Sequence, residues 1–193
     1  MDRSTGGWPV SLRLIHWVSA ALVLGALGYG VYMVQVDQSA AERFELTQTH
    51  KSIGLAVLAI TVARLCLRML ATAPKPGRGG PLLLAAAKTA HIALYALLLA
   101  MPLSGWLMAT TTPVRVPTFV FGLFELPYPL APALPTYRLA HAIHVASALA
   151  LASLIVLHVA AALVHALLWR DRTLARMWRN GLNSIGPHLG YRL

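Results

Sequence analysis

Three stretches of the chain, Leu14–Val36, Thr89–Val114 and Leu139–Trp169, contain no Asp, Glu, Lys or Arg and are almost wholly apolar. A helix needs about 20 such residues to cross the hydrocarbon of a bilayer, where its backbone N–H and C=O groups must satisfy one another. Each stretch is long enough. A fourth begins near Gln48, runs through SIGLAVLAITVA and reaches Met69 only by including Arg64 and Arg68, whose charges must snorkel, pair or meet an anion. The composition agrees, since 58% hydrophobic residues, 11% charged residues and a mean hydropathy of +0.65 lie far from the values of a soluble domain. The expectation is an all-α integral membrane protein, a four-helix bundle forming one domain over residues 1–193. Its helices are expected at about 12–36, 48–69, 86–110 and 139–169, followed by a basic tail over 170–193.

The first apolar run follows Arg3 and Arg13, as a signal peptide would, but it exceeds the roughly 7–15 residues of a signal core and reads as a retained span. Cys66 is the only cysteine, so no internal disulfide or thiolate metal cluster is possible, and a packing role inside the second helix is expected. With four spans both termini share a side. That side collects Arg3, Arg13, Arg64, Arg68, Lys75, Arg78, Lys88, Arg170, Arg172, Arg176, Arg179 and Arg192, against Arg43, Lys51, Arg115 and Arg138 on the other. The positive-inside rule places both termini in the cytoplasm. The net charge of +10 is then mainly a topology signal with some attraction for anionic lipid, and no aromatic and basic stripe supports binding to nucleic acid.

Residues 71–81, ATAPKPGRGGP, read as a short cytoplasmic turn, whereas residues 110–138 form a long external connection rich in Pro and aromatics. The latter is too broken for a fifth span and reads as an interfacial segment over the outer mouth of the bundle, or as an apolar loop at headgroup level. Pro102 with Gly105 is expected to kink the third helix, and no internal repeat is evident. The histidines sort by depth. His16 and His91 lie near the inner side, His50 at the outer entrance of the second helix, and the fourth helix passes His141 and His144 before His158 and His165. His144 and His158 are 14 residues apart, which puts both on nearly one face about 21 Å apart along the axis. His50 matches His144 in depth, and His16 matches His158. Two facing pairs of neutral imidazoles stacked at two levels are what two haems with bis-histidine ligation require. Zinc would need the four to converge at one level. A proton or cation transporter is the rival, but it would want carboxylates inside the spans, and none is there.

The segments SLRLIHW, HKSIG with VARLCLR, KTAHIALYALLLAMPLSGWL and HVASALALASLIVLHVAAALVHALLWRDRTLARM together resemble the bacterial cytochrome b561 family over nearly the whole chain. The resemblance implies a four-helix cytochrome of the bacterial inner membrane that holds two b haems and exchanges electrons with the quinone pool. The family shares its fold with the cytochrome b subunits of nickel hydrogenases, and one type of member oxidises superoxide at the outer face and reduces ubiquinone. Carried over by position, the resemblance makes His16 and His158 ligands of the inner haem, and His50 and His144 ligands of the outer haem.

The remaining polar residues follow from these. His91 takes a place beside the ligands or on the quinone side, or replaces His16 or His158 in the pairing. His165 is either a proton donor to a quinone near the cytoplasmic surface or a headgroup-boundary histidine. His141 reads as interfacial, and His188 belongs to the tail. Haem propionates need cationic partners: Lys51 and Arg138 are candidates at the outer level, Arg13 and Arg64 at the inner. Gly54 and Gly105 would let a macrocycle approach the backbone, or mark close helix packing. Bis-histidine iron has no open position, so the expected activity is outer-sphere electron transfer. External cations Arg43, Lys51, Arg115 and Arg138 balance Asp37, Glu42, Glu45 and Glu125, giving weak steering of an anion such as superoxide. Two readings follow: an oxidoreductase linking a periplasmic-side donor, superoxide or a redox protein, to ubiquinone, and a haem-bearing anchor for a larger hydrogenase-like complex. The short loops favour the first.

Overall fold

The computed structural model describes residues 7–73, 80–171 and 173–178. Four long helices run as α1 (Val10–Gln35), α2 (Ala40–Leu70), α3 (Pro81–Thr111) and α4 (Leu134–Leu163), the last continued by a π-helical turn over Val164–Leu168. All four are long and apolar enough to cross a membrane. The protein is therefore a membrane helical bundle, as its charge-free runs predict. The helices begin earlier than those runs because polar first turns are helical too. Ser39 and Glu42 form a capping box at the start of α2, and prolines occupy the first turns of α3 and α4. The Ser39 hydroxyl and backbone N–H both donate to the exposed Glu42 carboxylate, at 2.7 Å and 2.8 Å. α3 runs through Pro102 without ending.

Neighbours in sequence pack side by side, α1 on α2, α2 on α3, and α3 most extensively on α4. The bundle is closed least tightly between α1 and α4. Its apolar centre takes one large residue from each helix: Val23, Val57, Leu98 and Leu151. Buried hydroxyls turn back on their own helices, as hydrocarbon surroundings demand: Ser52 donates to Gln48 C=O at 2.9 Å and Thr111 to Leu107 C=O at 2.7 Å. Cys66 is exposed on the bundle surface, which corrects the expectation that it packs inside. Its position on α2 turns it outward, where an apolar thiol meets lipid at little cost.

The long connection between α3 and α4 contains an antiparallel hairpin, β1 (Thr118–Val120) against β2 (Phe124–Leu126), which its residues did not announce. Phe121 and Gly122 turn it with φ of 50° and 71°, and Leu123 N–H closes the turn on Val120 C=O at 2.9 Å. The hairpin is strapped to α2. Gln48 donates to Pro117 C=O at 2.7 Å and accepts from Phe119 N–H at 2.9 Å; one turn on, Ser52 accepts from Phe121 N–H at 2.9 Å. Two polar residues one turn apart thus stand in for a neighbouring strand.

The grip of α2 on the hairpin is testable. Gln48→Ala leaves one buried carbonyl and one N–H without partners, a cost of about 1–3 kcal/mol each if water cannot replace them. Amide exchange at Phe119 should accelerate and proteolysis between β1 and β2 should appear, with the four helices still protected.

Candidate functional site

The site begins with a seven-residue spacing repeated on every helix. α1 carries His16, Val23 and Gly30; α2 carries His50, Val57 and Arg64; α3 carries His91, Leu98 and Gly105; α4 carries His144, Leu151 and His158. Seven residues are about two turns, or roughly 10.5 Å of rise, so these positions form three layers down the bundle. The middle layer is the apolar centre. The layer towards the hairpin holds His50 and His144 with two glycines. The layer towards the termini holds His16, His91 and His158 with Arg64.

In the hairpin-end layer the His50 and His144 rings lie 6.2 Å apart, centroid to centroid, at 80°. They face each other from α2 and α4, helices that do not pack extensively together. His144 Nδ1 lies 2.9 Å from Met101 C=O and 3.2 Å from the Ser104 hydroxyl. A carbonyl only accepts, so Nδ1 carries the hydrogen and Nε2 keeps its lone pair. Each ring also leans on a glycine. A Cβ at Gly105 would meet His144 Cε1 at 3.2 Å, and one at Gly30 would meet His50 Cε1 at 3.2 Å. Gly54 has nothing within 4 Å of its Cβ position and lines a small cavity of about 40 Å³ with Val23, Leu98, Pro102 and the two histidines.

In the opposite layer His16 and His158 lie 6.5 Å apart at 69°, across the loosely closed side between α1 and α4. His91 stands 5.4 Å from His158 at 78°. Arg64 lies within electrostatic reach of all three rings and stacks over Tyr95, 5.4 Å from its centroid. Arg68 covers Trp8 at 4.4 Å. Aromatic faces thus accommodate the two arginines of this span. Arg13 is buried on α1 and lines a second hollow with Trp17 and Trp178. Trp178 belongs to a short helix, α5 (Ala175–Trp178), tied to α1 by Trp17 Nε1–H on Met177 C=O at 3.0 Å.

The other predicted residues are dispersed. Lys51 donates to Thr118 Oγ1 at 2.9 Å and so belongs to the hairpin strap. Arg138 is exposed, and no ion pair holds it among the described residues. His141 is exposed beside Tyr137. His165 is bonded to Asp171 at 2.6 Å. His188 lies outside the described residues, as do Arg3, Lys75, Arg78, Arg172, Arg179 and Arg192.

A sequence profile described as prokaryotic cytochrome b561 matches residues 7–180. The chain belongs to that family. It is also similar to cytochrome b561 homolog 2 of Escherichia coli (strain K12), with 35% identity over 172 residues, covering 89% of this chain and 90% of that protein. It is thus a multi-pass electron-transfer protein of the bacterial inner membrane, and the family's cofactor is b-type haem.

The residues of this cytochrome fit that group. Imidazoles on opposite faces of one metal, each about 2.0–2.1 Å from it as at zinc, would have ring centroids roughly 6.3 Å apart. The observed 6.2 Å and 6.5 Å match, and the 5.4 Å of His91 is shorter. His16 Nδ1 and His50 Nδ1 are buried with no hydrogen-bond partner in the protein, so half of these rings present a nitrogen that nothing else satisfies.

Ser104, Gly30 and the Met101 carbonyl escape sequence reasoning. The signal was the heptad itself: Gly30 lies 14 residues after His16, and Gly105 lies 14 after His91. Gly105→Ala should displace the His144 ring by a few tenths of an ångström and strain its bond to Met101. The midpoint potential of haem bound beside His144 should shift in a potentiometric titration. Gly25→Ala, whose Cβ meets nothing within 4 Å, is the control that should leave it unchanged.

Proposed function

We propose that this chain transfers electrons between a donor at the hairpin end, facing the periplasm, and the quinone pool, with His50 and His144 holding one haem b and His16 and His158 a second. The observation that carries the proposal is the pair of neighbouring imidazoles at each of two levels two heptads apart, with ring centroids 6.5 Å and 6.2 Å apart, a spacing that would suit two histidines sharing one haem. Haem, held there by these histidines, would supply a one-electron carrier.

The protein's residues do the rest. Met101 C=O fixes the tautomer and direction of His144, and Gly30 and Gly105 leave the space in which the two hairpin-end rings sit. Val23, Val57, Leu98 and Leu151 keep water out between the levels. Arg64 supplies positive charge beside the inner rings, suited to a buried carboxylate. His91 stands against His158 as a neighbour of the ligands. The orientation follows from charge: among described residues the termini end holds Arg13, Arg64, Arg68, Lys88, Arg170 and Arg176 against Asp171, whereas cations and acids balance at the hairpin end.

The donor is superoxide or a small periplasmic reductant, and the acceptor is ubiquinone, received near His165. In the alternative, the chain anchors a larger redox complex. Purification from membranes separates these, because a lone chain that reduces ubiquinone with a superoxide-generating system supports the first, and a stoichiometric partner subunit the second.

His144→Ala and His50→Ala should remove the same redox centre, and His158→Ala and His16→Ala should remove the other, provided each variant inserts. Shared loss by His50→Ala and His158→Ala would overturn the two-level arrangement. His91→Ala should keep both centres; loss of one would make His91 a ligand. His165→Ala should slow ubiquinone reduction and leave both haem spectra intact.

A further inference from the structure

The ligand assignment leaves one short titratable contact unexplained. After the π turn the chain reverses at Arg170, whose φ is 48°, and brings Asp171 back to His165. Asp171 N–H donates to His165 C=O at 3.1 Å, and Asp171 Oδ2 lies 2.6 Å from His165 Nδ1. Its other oxygen accepts Thr173 N–H at 2.8 Å. Trp169 stands edge-on to the imidazole, 4.6 Å away. The two side chains are 19% and 10% exposed, so water competes poorly for the bond. Asp171 is the one acidic residue at this end among those described, in a region rich in arginine. Its shortest bond nevertheless goes to an imidazole.

A carboxylate accepts and does not donate, so His165 carries its hydrogen on Nδ1 and is left to exchange protons through Nε2. The π turn has its own consequence: it carries His165 past the regular register of α4, about 10 Å beyond His158 along the axis.

We propose that Asp171 is a positioning residue that holds His165 in its Nδ1–H form, so that Nε2 passes protons to a quinone head group at the termini end of the bundle. This rests on the quinone reading above. Quinone becomes quinol by taking up two electrons, supplied by the electron transfer of the family, and two protons. For each proton passed, the Nε2–H bond of the imidazolium breaks and an O–H bond forms on the quinone. The ring is left neutral, its Nδ1–H still on Asp171, and water from the aqueous side restores the Nε2 proton.

The carboxylate stays ionised through the cycle. Partial burial alone would raise its pKa, but hydrogen bonds from the Thr173 hydroxyl, His165 and the Thr173 amide hold it down at about 2. A mere turn cap would not need that charge. Asn at 171 could still accept the Thr173 N–H, but its amide would donate to His165 Nδ1 and reverse the tautomer.

The experiment compares Asp171→Asn, Asp171→Glu and His165→Ala in the purified haem-loaded protein. Asp171→Asn should lower kcat for ubiquinone-1 reduction on the order of 100-fold, the size of a lost acid–base contribution, with little change in KM. Asp171→Glu should recover most of it. Ubiquinone-1 binding, read by quenching of tryptophan fluorescence, should be unchanged by Asp171→Asn. In ¹⁵N-histidine spectra of the reduced protein, the resonance lost in His165→Ala should report Nδ1–H, and Asp171→Asn should switch it to Nε2–H. A full-rate Asp171→Asn beside a slow His165→Ala would overturn the role of Asp171 and leave the quinone reading standing. A wild-type chain that neither binds nor reduces ubiquinone-1 would overturn both. An Nε2–H tautomer in the unaltered protein would overturn the proposal even if Asp171→Asn failed to insert.

Discussion

A neutral imidazole buried in a lipid-embedded bundle has two nitrogens to satisfy and no water with which to do it, and this requirement organises the structure. The chain meets it by repetition. Seven-residue spacing returns the same face of each helix towards the bundle axis with only about 20° of drift, so a residue type chosen at one depth recurs in alignment at the next. Histidine, a large aliphatic residue and then histidine again on α4 produce two polar levels around one apolar level. The other three helices answer this pattern, with large aliphatic residues in the middle and histidine at one end only.

The far ends of those helices are not equivalent. Opposite their histidines, α1 and α3 place Gly30 and Gly105, and the rings of His50 and His144 occupy the space a Cβ would take. α2 instead places Arg64 at its far station, where it lies against Tyr95 rather than in open lipid. Glycine in a helix costs about 1 kcal/mol relative to Ala, and its use beside both rings shows that ring placement outweighs helix propensity there. The hairpin completes this end of the bundle. It is bonded to Gln48 and Ser52, residues that flank His50, so the strap and the imidazole are positioned by the same two turns of α2.

The spans were legible because hydrocarbon imposes one rule on all residues of a segment, and the charge-free runs obey it. That the ring of His50 comes near that of His144, and His16 near His158, was legible from depth, because rise per residue is fixed in a helix. What a single helix could not reveal was lateral placement. Gly30 looked like any small residue in a span, and His91 could not be separated from His16 by depth alone. The hairpin was hidden because strands of three residues carry little periodic signal, and its partners are side chains on α2 rather than another strand. Asp171 was hidden for a similar reason: a π turn and a residue with positive φ bring it back to His165, and neither has a reliable sequence mark.

The two ends of the bundle therefore differ in chemistry. At the hairpin end two imidazoles face each other with a carbonyl and a hydroxyl behind one of them, a site suited to electrons alone. At the termini end three imidazoles, a guanidinium and, beyond them, the His165–Asp171 pair are gathered. Among the described residues, only there does a carboxylate meet an imidazole. On the function proposed above, a one-electron donor at the hairpin end would ask for no proton, whereas a quinone at the termini end would need two to become quinol. An asymmetric distribution of titratable groups on helices that share one repeat would serve that division of labour.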